Sequence, residues 1–202
     1  TLLSTPTTLT YYYTPLPTTL NPLYAGKMVD FRAQELVFDR LFFHDPVNNE
    51  LVSRVVKASE VVDLGKSLKI ELVDGVKWHD GKPLTAADIC FTVRALLDPG
   101  TPSPIAEGYR DILTGCREDG KTTAVVQFSR VVHNPQERLG FSVMPAHAFS
   151  GNTAISPDLE FSARPTGTGA MAGSRGTRGV TFTGFANTHH KPGIGQMQLQ
   201  ES

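Results

Sequence analysis

Val73-Asp74-Gly75-Val76-Lys77-Trp78-His79-Asp80-Gly81-Lys82-Pro83-Leu84-Thr85-Ala86-Ala87-Asp88 is the stretch whose reading decides the fold. It sets the chain's only tryptophan, Trp78, between two Asp-Gly turns, and Pro83 leads into a run that begins Thr85-Ala86-Ala87-Asp88. Asp-Gly is a turn signal because glycine reaches positive φ without strain and the aspartate side chain accepts from its own backbone. A strand therefore ends at Asp74-Gly75, a short extended piece carries Trp78, and the second turn feeds a helix. Thr85 is placed to cap that helix, with Asp88 three residues on closing a capping box and meeting the positive helix end. A lone Trp between two turns reads as an anchor that pins a hairpin to a helix, not as a ligand platform. The stretch holds no metal-ligand spacing and no titratable cluster, so function has to be argued from the scaffold.

Outward from this point, Val61-Val62, the turn Asp63-Leu64-Gly65-Lys66, and Leu68, Ile70 and Leu72 alternating with Lys69 and Glu71 predict a hairpin. On the other side, Ile89, Val93, Leu96 and Leu97 line one face of a helix over 86–97, which Asp98-Pro99-Gly100 stops. Residues 101–109 read as a Pro-rich connection. A second hairpin turns at Asp119-Gly120 and runs on with Ala124, Val126 and Phe128 on one face. Nearer the start, Tyr11-Tyr12-Tyr13 predicts a strand ended by Pro15 and Pro17. Residues 21–26 form a loop, and Asp30 is the predicted N-cap of a helix over about 30–43 with Ala33, Leu36, Val37 and Leu41 on one face. The tail over 164–195 is rich in Gly and Thr and shows one strand, at 180–185. The sum is α+β, with hairpins flanking single helices.

Composition narrows the class. At 202 residues the chain is long enough for one sizeable domain or two small lobes. With 40% hydrophobic and 19% charged residues it reads as globular, not disordered. A net charge of −1 gives no electrostatic footprint for nucleic acid or an anionic membrane surface. Apolar runs fall far short of the ~20 residues that span a bilayer. No basic segment followed by an apolar stretch opens the chain, so no signal peptide is visible. Cys90, inside the predicted helix, reads as a small buried apolar group, and Cys116 sits near a strand end. Two cysteines are not a disulfide framework, and whether they pair stays open.

An ordered series of motifs carries a family resemblance. It comprises Leu20-Asn21-Pro22, then Glu35-Leu36-Val37-Phe38-Asp39-Arg40-Leu41, then the hairpin from Glu60-Val61-Val62 to Glu71-Leu72. The Asp74 to Asp88 string follows, then the helix that ends Leu96-Leu97-Asp98-Pro99, then Met144-Pro145-Ala146-His147 and Pro165-Thr166-Gly167-Thr168-Gly169. In this order they resemble the amino-terminal half of the family 5 extracellular solute-binding proteins, the oligopeptide-, dipeptide- and nickel-type receptors of ABC importers. The resemblance implies a periplasmic-binding-protein-like lobe of class II, family 5 type, with a small hairpin-rich sublobe and without the second lobe. Residues 1–45 and 164–202 would form the main sublobe and 46–163 the inserted one. The departures are Ala170-Met171 where the family has Pro-Tyr, and Ala186-Asn187-Thr188-His189-His190 where it has an Asn-Pro-x-Tyr-Trp string. Members are well over twice this length, so the expectation is a natural truncation.

By the same resemblance, the loop and helix start carrying Asn21, Tyr24, Met28, Phe31 and Arg32 line the ligand cleft, an aromatic and thioether surface with one guanidinium for a peptide backbone and its carboxylate. The plainer reading leaves Met28 and Phe31 in the core and Arg32 as a solvated charge. Gly167-Thr168-Gly169 is expected to be a tight structural turn between the sublobes. Extended to Ala172 it matches G-x-G-x-x-A, but no buried strand precedes it and no helix follows, so it is not read as a dinucleotide fingerprint. Adjacent histidines such as His189-His190 would point apart on a strand, so no metal is expected there. No nucleophile–base motif occurs, so neither a catalytic residue nor a cofactor is expected, and a small hydrolase has no support. The expected protein is a non-catalytic peptide-binding lobe, periplasmic or extracytoplasmic by resemblance, whose exposed face a second copy or a protein partner covers. It would meet a membrane permease only as a true transport receptor. The alternative is a cytoplasmic accessory subunit that presents a precursor peptide to biosynthetic enzymes.

Overall fold

The computed structural model describes residues 8–12, 14–185 and 194–201. Tyr13 and the segment with His189-His190 lie outside the described residues. Two apolar clusters organise the chain, a large one that includes Trp78 and a small one that includes Phe182.

β1 (Thr8–Tyr12) comes first. A single 3-10 turn at Pro22–Tyr24 follows, capped by Asn21, whose side-chain oxygen accepts from the Leu23 amide. α1 (Met28–Val37) starts before the predicted Asp30 and stops short of the predicted end near 43. Asp30 is the reason for the early start. From the third helical position its buried carboxylate accepts from the Gly26 and Lys27 amides and from Thr18, so the capping charge lies inside the helix. The early stop has a remote cause: the Val37 carbonyl accepts from the Gly169 amide, and the chain turns extended at Phe38.

β2 (Phe43–His44) and β3 (Leu51–Val52) make a short ladder, and β4 (Val56–Val62) and β5 (Ser67–Leu72) form the predicted hairpin. Leu68, Ile70 and Leu72 are buried and Lys69 and Glu71 are not, which is the period-2 pattern of a half-covered antiparallel strand. α2 (Ala86–Leu97) begins with the capping box of Thr85 and Asp88. Trp78 is fully buried and its Nε1 donates to the same Asp88 carboxylate at 3.4 Å, while the other Asp88 oxygen accepts from the Ala146 amide. One carboxylate thus ties the tryptophan, the helix start and the Met144–His147 stretch together, as an anchor should.

The predicted connection over 101–109 is instead largely helix, α3 (Pro104–Arg110). Ser103 caps it by accepting from the Ala106 amide, and Pro104 stands at the first helical turn, where a missing N–H costs nothing. β6 (Leu113–Glu118) and β7 (Thr123–Phe128) complete an antiparallel sheet in the order β4-β5-β7-β6. Cys90 of α2 and Cys116 of β6 are joined by a disulfide, which settles the open pairing. Closing 26 residues of sequence removes unfolded-state entropy worth about 3–4 kcal/mol in the chain-entropy account.

The Gly- and Thr-rich tail departs most from expectation. In place of one strand it has two, β8 (Met171–Gly176) and β9 (Gly179–Gly184), and a further strand, β10 (Gln196–Gln200), follows it. They complete a sheet in the order β1-β10-β9-β8, with β1 and β10 parallel and the other pairs antiparallel. Val180, Phe182 and Met171 pack from this sheet onto Ala33 and Val37 of α1. Among the described residues no helix is long and apolar enough to cross a membrane.

Candidate functional site

α1 has one committed face and one open face. Ala33 and Val37 go into the small cluster. Met28 and Phe31, three residues apart and so on one side of the helix, are 68% and 41% exposed. Arg32, next to them, is exposed and makes no ion pair among the described residues. The core reading of Met28 and Phe31 is therefore not what the structure shows.

The loop before α1 is rigidly tied. Asn21 is fully buried, its amide nitrogen 3.4 Å from Ser162 Oγ and its main-chain carbonyl accepting from Gln34 Nε2 at 3.0 Å. Tyr24 is half-buried, its hydroxyl donates to the Ile155 carbonyl, and burial pushes its phenol above the ordinary range. The Leu23 carbonyl accepts from the Ser103 hydroxyl. Asn21 and Tyr24 thus hold the loop in shape, and the open surface is that of Met28, Phe31 and Arg32.

Phe31 also walls a recess of about 150 Å³ where α1, α3 and residues 140–142 meet. Its other walls include Leu23, Tyr109 and Phe141, and Tyr109 meets Phe141 edge-on at 5.5 Å between ring centres. Burial raises the Tyr109 phenol against the pull of the Arg40 charge, so it stays a neutral donor. Arg40 lies at the recess with its Nε donating to the Gly140 carbonyl at 2.8 Å and its guanidinium 3.9 Å from Glu35. The arrangement suits one apolar side chain of a larger ligand, with a cation and a carboxylate alongside to orient its polar backbone. Sequence reasoning missed Arg40, Tyr109 and Phe141. The Ser103-Pro104 pair that starts α3 was the available signal for Tyr109, obscured by the neighbouring prolines.

Gly167, Thr168 and Gly169 lie against the end of α1. A Cβ built on Gly167 would stand 1.8 Å from the Val37 carbonyl oxygen, and one on Gly169 would stand 2.7 Å from that of Leu36. Neither glycine has positive φ, so close backbone approach is what calls for them here. Thr168 Oγ1 donates to Asp39 Oδ2 at 2.9 Å. No group of three or more His, Cys, Asp or Glu among the described residues could hold a metal ion.

Residues 50–178 match the family described as bacterial extracellular solute-binding proteins, family 5 Middle. A curated relative, Protein XP55 of Streptomyces lividans, is 28% identical over 184 residues, 88% of this chain and 32% of that protein. Among solved structures, the oligopeptide-binding protein AppA from Bacillus subtilis, in complex with a nonapeptide, aligns with a TM-score of 0.86 and 17% identity over 98% of this chain and 41% of its own. The dipeptide binding protein from a Pseudoalteromonas species, in complex with Met-Leu, gives 0.84 and 19% over 97% and 43%. At these identities the structures show the fold, and the chain spans under half the length of each protein.

Proposed function

Because the chain belongs to the family 5 bacterial extracellular solute-binding proteins, we propose that it is a non-catalytic binding protein for a peptide or peptide-like solute. The observation that carries this reading is the open Met28, Phe31 and Arg32 face of α1 running into the recess walled by Phe31. Met28 and Phe31 offer apolar contact, Arg32 meets a carboxylate, and Asn21 and Tyr24 hold the loop that presents them. The nonapeptide and Met-Leu ligands of the two aligned structures support an extended ligand.

One wall does not enclose a ligand, so the face is completed from outside it, by a second copy or a protein partner in our reading. The division into 1–45 with 164–202 and an inserted 46–163 stays part of this proposal, supported by the separation of the two four-stranded sheets. The Cys90–Cys116 bond favours an oxidising, extracytoplasmic compartment over the cytoplasmic accessory role.

The test is equilibrium binding of a pool of nonapeptides to the chain and to Met28→Ser and Phe31→Ser. Each substitution removes an exposed apolar contact worth about 1 kcal/mol or more, so affinity should fall at least about fivefold while the melting temperature holds. Equal binding by all three proteins contradicts the reading.

A further inference from the structure

His79 is clamped at three points to the Gly167–Gly169 turn. Its main-chain amide donates to the Gly167 carbonyl at 2.9 Å. Its ring Nδ1 lies 3.2 Å from the Gly167 nitrogen, and its Nε2 lies 2.8 Å from the Gly169 carbonyl oxygen. An amide N–H can only donate and a carbonyl can only accept, so the ring must be neutral with its proton on Nε2. The same turn grips α1 through the Gly169 amide and the Val37 carbonyl, and grips Asp39 through Thr168. This one imidazole therefore fastens the Trp78 loop of the large cluster to the turn that abuts the small one.

We propose that His79 is an acid-sensitive latch: its protonation places an N–H on Nδ1 against the Gly167 N–H and releases the Gly167–Gly169 turn before the large core unfolds. The groups facing the ring are Asp39, after α1, and Asp80, on its own loop. Both are engaged elsewhere: Asp39 by Thr168 and, at 3.7 Å, by Arg54, and Asp80 by His147 at 2.7 Å and Lys82 at 3.7 Å. The Phe185 ring lies 4.9 Å away and helps keep water out. Burial lowers the His79 pKa from its ordinary value, against the pull of the Gly169 carbonyl and the two carboxylates.

The direction of the pH effect follows from that lowered value. The released turn binds the proton more readily than the latched one, so latch stability is complete above the ordinary histidine value of about 6.5. It falls as pH drops from there toward the lowered latched value, and levels off below it.

The test is hydrogen exchange of the intact chain, corrected for intrinsic rates, between about pH 7.5 and about pH 5. The Gly167, Gly169 and His79 amides should lose about tenfold more protection than the Ile70 amide in β5. His79→Gln, which does not titrate, should abolish this step, and His147→Gln should retain it. No step, a step shared equally by Ile70, or a step lost in His147→Gln would each overturn the proposal. The wild-type and His147→Gln profiles decide the matter even where His79→Gln does not fold.

Discussion

The two four-stranded sheets are built by opposite means. The β4-β5-β7-β6 sheet joins two tight hairpins, β4-β5 and β6-β7, across the two helices that separate them in sequence, buries Trp78 and carries α2 on a disulfide to β6. The β1-β10-β9-β8 sheet lays β1, from the other end of the chain, against the consecutive strands β8, β9 and β10, with Thr8 beside Gln196, over a much smaller apolar cluster. Where the first fills space with large side chains, the second is held to α1 by close backbone approach at Gly167 and Gly169, in the turn before β8. A thick core locked by a disulfide should give the first region the higher resistance to opening, and a thin core closed by the end-to-end β1–β10 pairing should leave the second to open first.

Three variants test that contrast. The largest effect belongs to Trp78→Ala, which empties the centre of the large cluster and leaves the Asp88 carboxylate short of a donor. A loss of about 3–5 kcal/mol in urea denaturation is expected, with both sheets unfolding together. Next comes removal of the disulfide by Cys90→Ala with Cys116→Ala, expected to lower stability by about 3–4 kcal/mol under oxidising conditions and to change nothing once the wild type is reduced. A smaller but more local effect is expected of Gly167→Ala. Its methyl group would meet the Val37 carbonyl, so the turn must move, at about 2 kcal/mol or more. Exchange protection should drop in β8 and β9 and hold in β5. Equal losses in all three strands would break the contrast between the regions.

The same contrast explains how much could be read beforehand. The large region announced itself through Asp-Gly turns, period-2 alternation in β5 and a capping box at Thr85 and Asp88, all encoded within a few residues of where they act. The limits of α1 were not legible, because a carboxylate inside the helix sets its start and a glycine amide more than a hundred residues later meets its end. β8 escaped notice because an inward position is Gly173, where a side chain would strike Val37 and Leu20. β10 reads Gln-Met-Gln-Leu-Gln, a short period-2 alternation beyond the Gly- and Thr-rich tail, and it pairs with β1 and β9.

At the candidate site, it is the family resemblance that points to Met28, Phe31 and Arg32, and their exposure rests on which side of α1 the small cluster takes. The recess could not be foreseen, since Phe31, Tyr109 and Phe141 meet only once α3 is placed.

The most direct measurement is the map of backbone amide shifts in the chain as a pool of nonapeptides is titrated in. The account predicts shifts centred on Met28, Phe31 and Arg32 and reaching Tyr109 across the recess. Shifts centred on the exposed strand β4, or none at saturating peptide, would contradict it.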